Sequence, residues 1–119
     1  MQKWQQAGVV MIDWGHVREL HREIGAHCFD EVQHMFLDEV GVILTRLRNG
    51  ADGGAMAADL HALKGSVVTL GFVEVARLCQ EGEVLFAQGR GSQVDIDGMV
   101  QVYESTVDQF LAQRDHHLA

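Results

Sequence analysis

The chain has 119 residues, which suits one domain of ordinary size, and 47% of them are hydrophobic, enough to build a core. Its formal net charge of −8 argues against nucleic acid and anionic membranes as partners, because both would repel it. No apolar run approaches the length of a membrane span, the N-terminus lacks the features of a signal peptide, and the two cysteines form no CxxC motif. We therefore expect a cytoplasmic protein whose reduced cysteines act as small core residues.

Hydrophobic spacing predicts helices throughout the chain and no strand. Asp13 can cap a short first helix, and Gly25 is expected to separate it from a second. After the loop NGADGG (residues 49–54), a third helix is expected from about Ala55 to Leu70, with Gly71 as its left-handed cap. Two further helices follow, separated by the loop QGRGSQ. The inward faces of the five helices are predicted at Val17, Leu20 and Ile24; Phe29, Val32, Phe36, Val40, Ile43 and Leu47; Met56, Leu60, Leu63, Val67 and Leu70; Val75, Leu78, Gly82 and Leu85; and Ile96, Met99, Tyr103, Val107 and Phe110.

One-sided amphipathic helices joined by short loops predict an all-α fold, an antiparallel up-down four-helix bundle. The short N-terminal segment is expected to cap one end of this bundle. A single domain would span residues 1–119, with its core at about 13–113, and we expect it to be a monomer. The chain contains no proline and 13 glycines, a combination that suits helices separated by glycine stops.

The third helix contains a glycine at an interior position, in the stretch ADLHALKGSVVTLG of residues 58–71. A glycine there costs about 1 kcal/mol relative to alanine. Because each residue turns the helix by about 100°, His61 lies about 100° from Leu60 and about 200° from Leu63, so it points away from the core. Its neighbours three and four residues away are Ala57, Ala58, Lys64 and Gly65. The imidazole is therefore predicted to stand nearly bare on the surface, beside a cation.

An exposed neutral imidazole is a good nucleophile near neutral pH, and the site predicted around His61 suits phosphoryl transfer. That reaction needs positioning and charge compensation more than covalent help. Lys64 could meet phosphoryl oxygens as a mobile point charge, and Gly65 would clear room for a partner's active-site rim. Two structural alternatives stay open: Lys64 could be an ordinary solvated lysine, and Gly65 could pack against a neighbouring helix.

The segment HALKGSVVTLG resembles the H-x-L-K-G-S-x-x-x-L-G signature of histidine phosphotransfer (HPt) domains. The matching residues are His61, Leu63, Lys64, Gly65, Ser66, Leu70 and Gly71. The segments IDWGHVRELHREIGAHCFDEVQHMFLDEV and VARLCQEGE also look like family helices, so the resemblance covers nearly the whole chain. With Met1, this coverage leads us to expect a complete small protein. The sequence departs from the pattern at Val67 and Val68, where the family usually has smaller residues.

The resemblance implies that His61 accepts a phosphoryl group and passes it to or from aspartates of receiver domains in a two-component phosphorelay. The implied partners are response regulator receiver domains and a sensor histidine kinase, which can be of the hybrid type. The partner-binding surface would include Ala57, Ala58, Gly65 and Val68. Glu83 falls where the family often has a carboxylate or amide that bonds the imidazole; an ordinary exposed glutamate is the alternative.

No cofactor of its own is expected for this chain. The resemblance implies that the magnesium ion for transfer comes from the acidic pocket of the receiver partner. The sequence has no glycine-rich nucleotide loop before a helix and no room for a kinase domain. We therefore expect no ATP-dependent kinase activity, with a donor protein supplying the phosphoryl group.

The sequence allows two alternatives of other functional classes. Seven histidines and many carboxylates invite a metal-binding bundle, and Glu31-x-x-His34 has the spacing that di-iron bundles use. Those bundles need two such pairs, and the sequence has one, so no metal site is expected. A purely structural adaptor is the other alternative, but it would not require a bare histidine beside a glycine.

Overall fold

The computed structural model describes residues 9–50 and 53–119, and the regular structure within these ranges is entirely helical. The helices are α1 (Trp14–Ile24), α2 (Ala26–Arg48), α3 (Gly53–Thr69), α4 (Val73–Ala87) and α5 (Ile96–Leu118), with a 3₁₀ turn at Gly91–Gln93. The all-α prediction is confirmed for this part of the chain. Residues 1–8 of the predicted domain and residues 51–52 of the predicted loop lie outside the described residues. No described helix is both long and apolar enough to cross a membrane.

The helices form a closed circuit of neighbours. α3 packs against α2 and α4, α4 also contacts α5, and α5 returns to α2. α1 packs against α2 and α5. Every residue of the five predicted inward faces is buried or partly buried. The fully buried side chains come from all five helices and from the α3–α4 connection: Val17, Phe29, Val40, Leu60, Leu63, Val67, Leu70, Phe72, Val75, Cys79, Thr106 and Phe110.

The cysteines differ from each other. Cys79 is fully buried, as expected, whereas Cys28 is exposed, so the prediction of a core position for Cys28 was wrong. Cys28 precedes the core residue Phe29 in α2 and points about 100° away from it around the helix. A single step along the chain is therefore enough to turn the thiol to the surface.

Among the described residues, three ion pairs connect α2 to other helices, and the longest of them joins Arg48 Nε to Asp97 Oδ1 on α5 at 3.9 Å. Arg46 donates to Asp59 on α3, with Nη2 at 2.7 Å from Oδ1, and the Asp59 carboxylate is buried. Arg114 on α5 donates to Asp30 through Nη2 at 2.8 Å and also contacts Gln33. Because Asp59 lies two residues before His61, its pair with Arg46 helps to fix the part of α3 that carries this histidine.

The residues predicted to begin and end helices lie at helix ends in the structure. The Asp13 carboxylate caps α1 by accepting the His16 amide at 3.1 Å, and Gly25 separates α1 from α2 with a φ of 84°. α3 begins at Gly53, slightly before the predicted start at Ala55. Glycines of a first turn can adopt helical geometry although their sequence resembles a loop.

The C-terminus of α3 is a Schellman motif built on Gly71, whose φ is 78°. The Phe72 amide donates to the Val67 carbonyl at 2.9 Å, and the Gly71 amide donates to the Val68 carbonyl at 3.0 Å. The Gly71 carbonyl in turn accepts the Asp13 amide at 2.8 Å. The left-handed cap predicted at Gly71 is confirmed, and it also attaches the start of α1 to the end of α3.

We expect Gly71→Ala to destabilise the protein more than Gly89→Ala does. Both glycines have positive φ, which costs an alanine about 1–2 kcal/mol. A Cβ at Gly71 would also lie 2.9 Å from Val17 Cγ2 and 3.1 Å from the Asp13 carbonyl oxygen, whereas a Cβ at Gly89 meets open space. The crowding should add about 1–3 kcal/mol at Gly71 alone. Urea unfolding of both variants measures the difference, and equal losses would contradict the close packing of α1 on α3.

Candidate functional site

His61 lies on α3 and meets α4 at Glu83. His61 Nδ1 is 3.0 Å from Glu83 Oε1, while the His61 side chain remains 78% exposed. An ionised carboxylate can only accept, so this contact places the imidazole proton on Nδ1. In the neutral form of the ring, Nε2 then keeps its lone pair on an exposed side chain, which is the state that a nucleophilic imidazole requires.

Lys64 lies one turn after His61 and contacts the same carboxylate. Its Nζ donates to Glu83 Oε2 at 2.6 Å and to Gln80 Oε1 at 2.9 Å. The side chains of Lys64 and Glu83 are only 26% and 20% exposed. In the free protein Lys64 is therefore held in an ion pair, which differs from the mobile point charge predicted from the sequence. The difference arises because α4 packs along α3 and brings its own acceptors within reach.

Glu83 is the centre of this small network, because one carboxylate oxygen faces His61 and the other faces Lys64. The hydrogen bond from Lys64 lowers the Glu83 pKa, burial opposes it, and the contact with His61 lowers the pKa further. The carboxylate is therefore ionised at neutral pH, as the proton assignment on His61 requires. Gln80 was not predicted for this site. Its position three residues before Glu83, on the same face of a helix, is the signal that could have found it.

The surface beside His61 consists mainly of small side chains and is open to solvent. Gly65 is exposed, and a Cβ built on it would have no neighbour within 4 Å among the described residues. The alternative that Gly65 packs against another helix is therefore excluded. Ala58 is exposed, Ala57 is partly buried, and the Val68 side chain is 51% exposed. The four residues predicted for partner contact thus surround His61 with small or apolar groups.

Cys79, on the buried side of α4 beneath Glu83, takes no part in the chemistry of this site. Burial raises the pKa of its thiol to about 12, and the nearby Glu83 charge raises it as well. The thiol therefore stays protonated at neutral pH and behaves as a small apolar group.

The histidines of α2 do not form the paired site of a di-iron bundle. His34 Nε2 lies 3.5 Å from Asp38, and Glu31 lies 3.0 Å from His27 Nε2, all on the outer surface. Within residues 9–50 and 53–119 of this single chain, no group of three or more His, Cys, Asp or Glu side chains could hold a metal ion.

Comparison with known protein families identifies the class to which this chain belongs. A family model described as the Hpt domain matches residues 31–115, which is most of the chain. The chain therefore belongs to the Hpt domain family, whose function is histidine phosphotransfer in two-component signalling and whose partners are receiver domains and kinases. No curated protein and no solved structure matches the chain.

Proposed function

We propose that His61 is the phosphoaccepting residue and that it exchanges a phosphoryl group with aspartates of receiver domains in a phosphorelay. The contact of His61 Nδ1 with Glu83 carries this proposal, because it frees Nε2 for attack. By contrast, Nε2 contacts a carbonyl or carboxylate oxygen in His16, His27 and His34. The nitrogen that is free on His61 is thus occupied on these three.

In the proposed transfer, the Nε2 lone pair attacks the phosphorus of a receiver aspartyl phosphate. The bond between phosphorus and the aspartate oxygen breaks, and the aspartate leaves as a carboxylate. His61 keeps its proton on Nδ1 and becomes a phosphorylated imidazolium, whose positive charge the Glu83 carboxylate stabilises. Transfer to another receiver is the reverse of this step, so Glu83 supports both directions.

Lys64 has two roles in this proposal. In the free protein its ion pair keeps the Glu83 carboxylate ionised and in place. When a phosphoryl group is on His61, the flexible four-carbon stem of Lys64 lets the ammonium turn toward the new anionic oxygens. Magnesium would be supplied by the receiver's acidic pocket, and the chain itself would need no cofactor.

The receiver would dock on the surface formed by Ala57, Ala58, Gly65 and Val68. The open space at Gly65 supports this assignment, as does the exposed apolar surface of Val68. We also propose that α2 to α5 form an antiparallel up-down bundle that α1 caps, in a cytoplasmic protein that is a monomer when no metal ion is bound. Their closed circuit of contacts supports the bundle.

The test is incubation of the purified chain with phosphorylated receiver domains and, separately, with ATP and magnesium. We expect an acid-labile phosphohistidine from receivers and no label from ATP alone. An adaptor would take label from neither source, so an unlabelled chain after a screen of its cell's receivers would contradict the proposal. Steady labelling from ATP would contradict the absence of kinase activity.

Variants of Glu83 should distinguish how much its hydrogen bond to His61 and how much its negative charge contribute to the transfer rate. Glu83→Gln keeps an oxygen that can accept from Nδ1, whereas Glu83→Ala removes the acceptor. A hydrogen bond to a charged group contributes about 1.5–3 kcal/mol, so we expect Glu83→Ala to slow transfer about tenfold or more. Glu83→Gln should lie between Glu83→Ala and wild type in rapid-quench rates. Identical rates in all three proteins would show that Glu83 does not position the imidazole.

A further inference from the structure

The outward face of α2 carries two histidine–carboxylate pairs that the phosphotransfer reaction does not use. His27 Nε2 is 3.0 Å from Glu31 Oε1, and His34 Nε2 is 3.5 Å from Asp38 Oδ2. The four side chains are at least 69% exposed. At about 100° per residue they fall within about 60° of one another, on the side of α2 opposite the core residues Phe29 and Val40. We call these four residues the α2 stripe.

Each pair of the α2 stripe has the donors and the spacing of half a zinc site. Imidazole nitrogen and carboxylate oxygen are zinc ligands, and bonds of about 2.0–2.1 Å in tetrahedral geometry place neighbouring donors about 3.3 Å apart. The two measured separations lie on either side of that value. Structural zinc sites take four ligands, and each pair supplies two. No group of three ligands occurs among the described residues of one chain, so a complete site needs a second molecule.

A second copy of this chain can supply the missing half. The pairs are seven residues apart, which is about 10 Å along the helix. When two α2 helices lie antiparallel about a two-fold axis between Val32 and Gln33, the His27–Glu31 pair of one copy faces the His34–Asp38 pair of the other. The symmetry creates two identical sites, each with two imidazoles and two carboxylates.

Electrostatic interactions favour a second copy of the chain as the partner only when zinc is bound between the two copies. The stripe also borders Asp30, and the whole chain carries a net charge of −8, so two copies repel each other without a cation. In each bridged site the charges of one Glu31 and one Asp38 balance a Zn²⁺ ion. The contact between His61 and Glu83 is a poorer zinc site, because the Lys64 ammonium bonds the same carboxylate.

We propose that the α2 stripe is a zinc-binding surface through which two copies of this chain form an antiparallel dimer. Each zinc ion is held by His27 and Glu31 of one copy and by His34 and Asp38 of the other. Because the stripe lies on the outer face of α2, it contains no residue of the surface around His61. The proposal is therefore independent of the phosphotransfer assignment.

Sedimentation of the full chain, with zinc sulfate or with EDTA, tests the proposal. We expect the apparent mass to double from 13.2 kDa with zinc and to return to the monomer value with EDTA. His61→Gln should dimerise as wild type does, which separates this surface from the phosphotransfer site. A wild-type chain that stays monomeric with saturating zinc would overturn the proposal.

Two double variants then test the antiparallel pairing. His27→Gln/Glu31→Gln keeps only the second pair, and His34→Gln/Asp38→Asn keeps only the first. Each variant alone should stay monomeric with zinc, because every interface site has then lost half of its ligands. An equimolar mixture should form a zinc-dependent heterodimer, because one complete site returns. Dimerisation of either variant alone would overturn the antiparallel arrangement, and a monomeric mixture would overturn the assignment of these ligands. Circular dichroism checks that both variants keep wild-type helix content.

Discussion

His61→Gln should abolish phosphorylation of the chain by phosphorylated receivers while leaving its helical content unchanged. Glutamine is a good helix former and keeps a polar side chain, but it has no lone-pair nitrogen to attack phosphorus. The residue is 78% exposed and lies outside the core, so its replacement should cost little stability. Acid-labile label after incubation with a phosphorylated receiver measures the transfer, and we expect none above background.

His34→Gln is the matched control for this experiment. His34 is also an exposed helix histidine beside a carboxylate, but its contact with Asp38 engages Nε2, and among the described residues no lysine contacts that carboxylate. This variant should be labelled at the wild-type rate. Wild-type labelling of His61→Gln would remove His61 as the acceptor and direct attention to the other six histidines.

Gly65→Gln should move stability and function in opposite directions. A good helix former at this interior position should raise the free energy of unfolding by up to about 1 kcal/mol. The new side chain would stand one turn from His61, where the receiver is proposed to dock. Because a displacement of about 1 Å can cost on the order of a hundredfold in rate, we expect transfer to and from receivers to slow by about that factor. Thermal unfolding and rapid-quench transfer assays measure the two effects.

Gly41→Gln is the control that separates the effect of helix propensity from the effect of placing a side chain beside His61. Gly41 also lies inside a helix, and a Cβ there also meets open space, but it lies on α2 rather than beside His61. Both variants should gain stability, and only Gly65→Gln should lose transfer. Phosphorylation by a small donor such as acetyl phosphate should slow less in Gly65→Gln than transfer from a receiver protein. Wild-type transfer by Gly65→Gln would contradict the docking role, and so would a loss of activity that merely follows unfolding.

Gly82 illustrates what a packing glycine in this bundle looks like. It is buried on α4, and a Cβ built there would lie 3.3 Å from Leu60 Cδ1 and 3.4 Å from Val94 Cγ1. Gly65 has no such neighbours. The helix period already predicted Gly82 on an inward face and Gly65 beside the outward His61, and the contacts between helices show what a Cβ would meet at each position.

Features encoded within a few residues could be predicted from the sequence. The cap at Asp13, the break at Gly25 and the left-handed end at Gly71 each depend on backbone preferences near one position. The outward direction of His61 follows from the helix period and one apolar stripe. These local rules were sufficient to locate the candidate site.

The interactions that complete the site were harder to predict, because they join residues far apart in the chain. Glu83 is 22 residues from His61, and Gln80 is 16 residues from Lys64. Their meeting depends on the register between α3 and α4, which helix periodicity alone does not specify. For the same reason the sequence did not predict the ion pair that Lys64 forms with Glu83.

The hydrogen bond between the Asp13 amide and the Gly71 carbonyl bears on where this module begins. The family model starts at residue 31, after the whole of α1. In this chain, however, the residues before α1 satisfy the backbone at the end of the helix that carries His61, and Met11, Ile12 and Val17 fill the core beside it. A chain shortened to residues 31–115 would expose that carbonyl and leave this part of the core unfilled. We therefore expect a chain shortened to residues 31–115 to be less stable toward urea than the full chain, although the shortened chain contains the whole region that the family model matches.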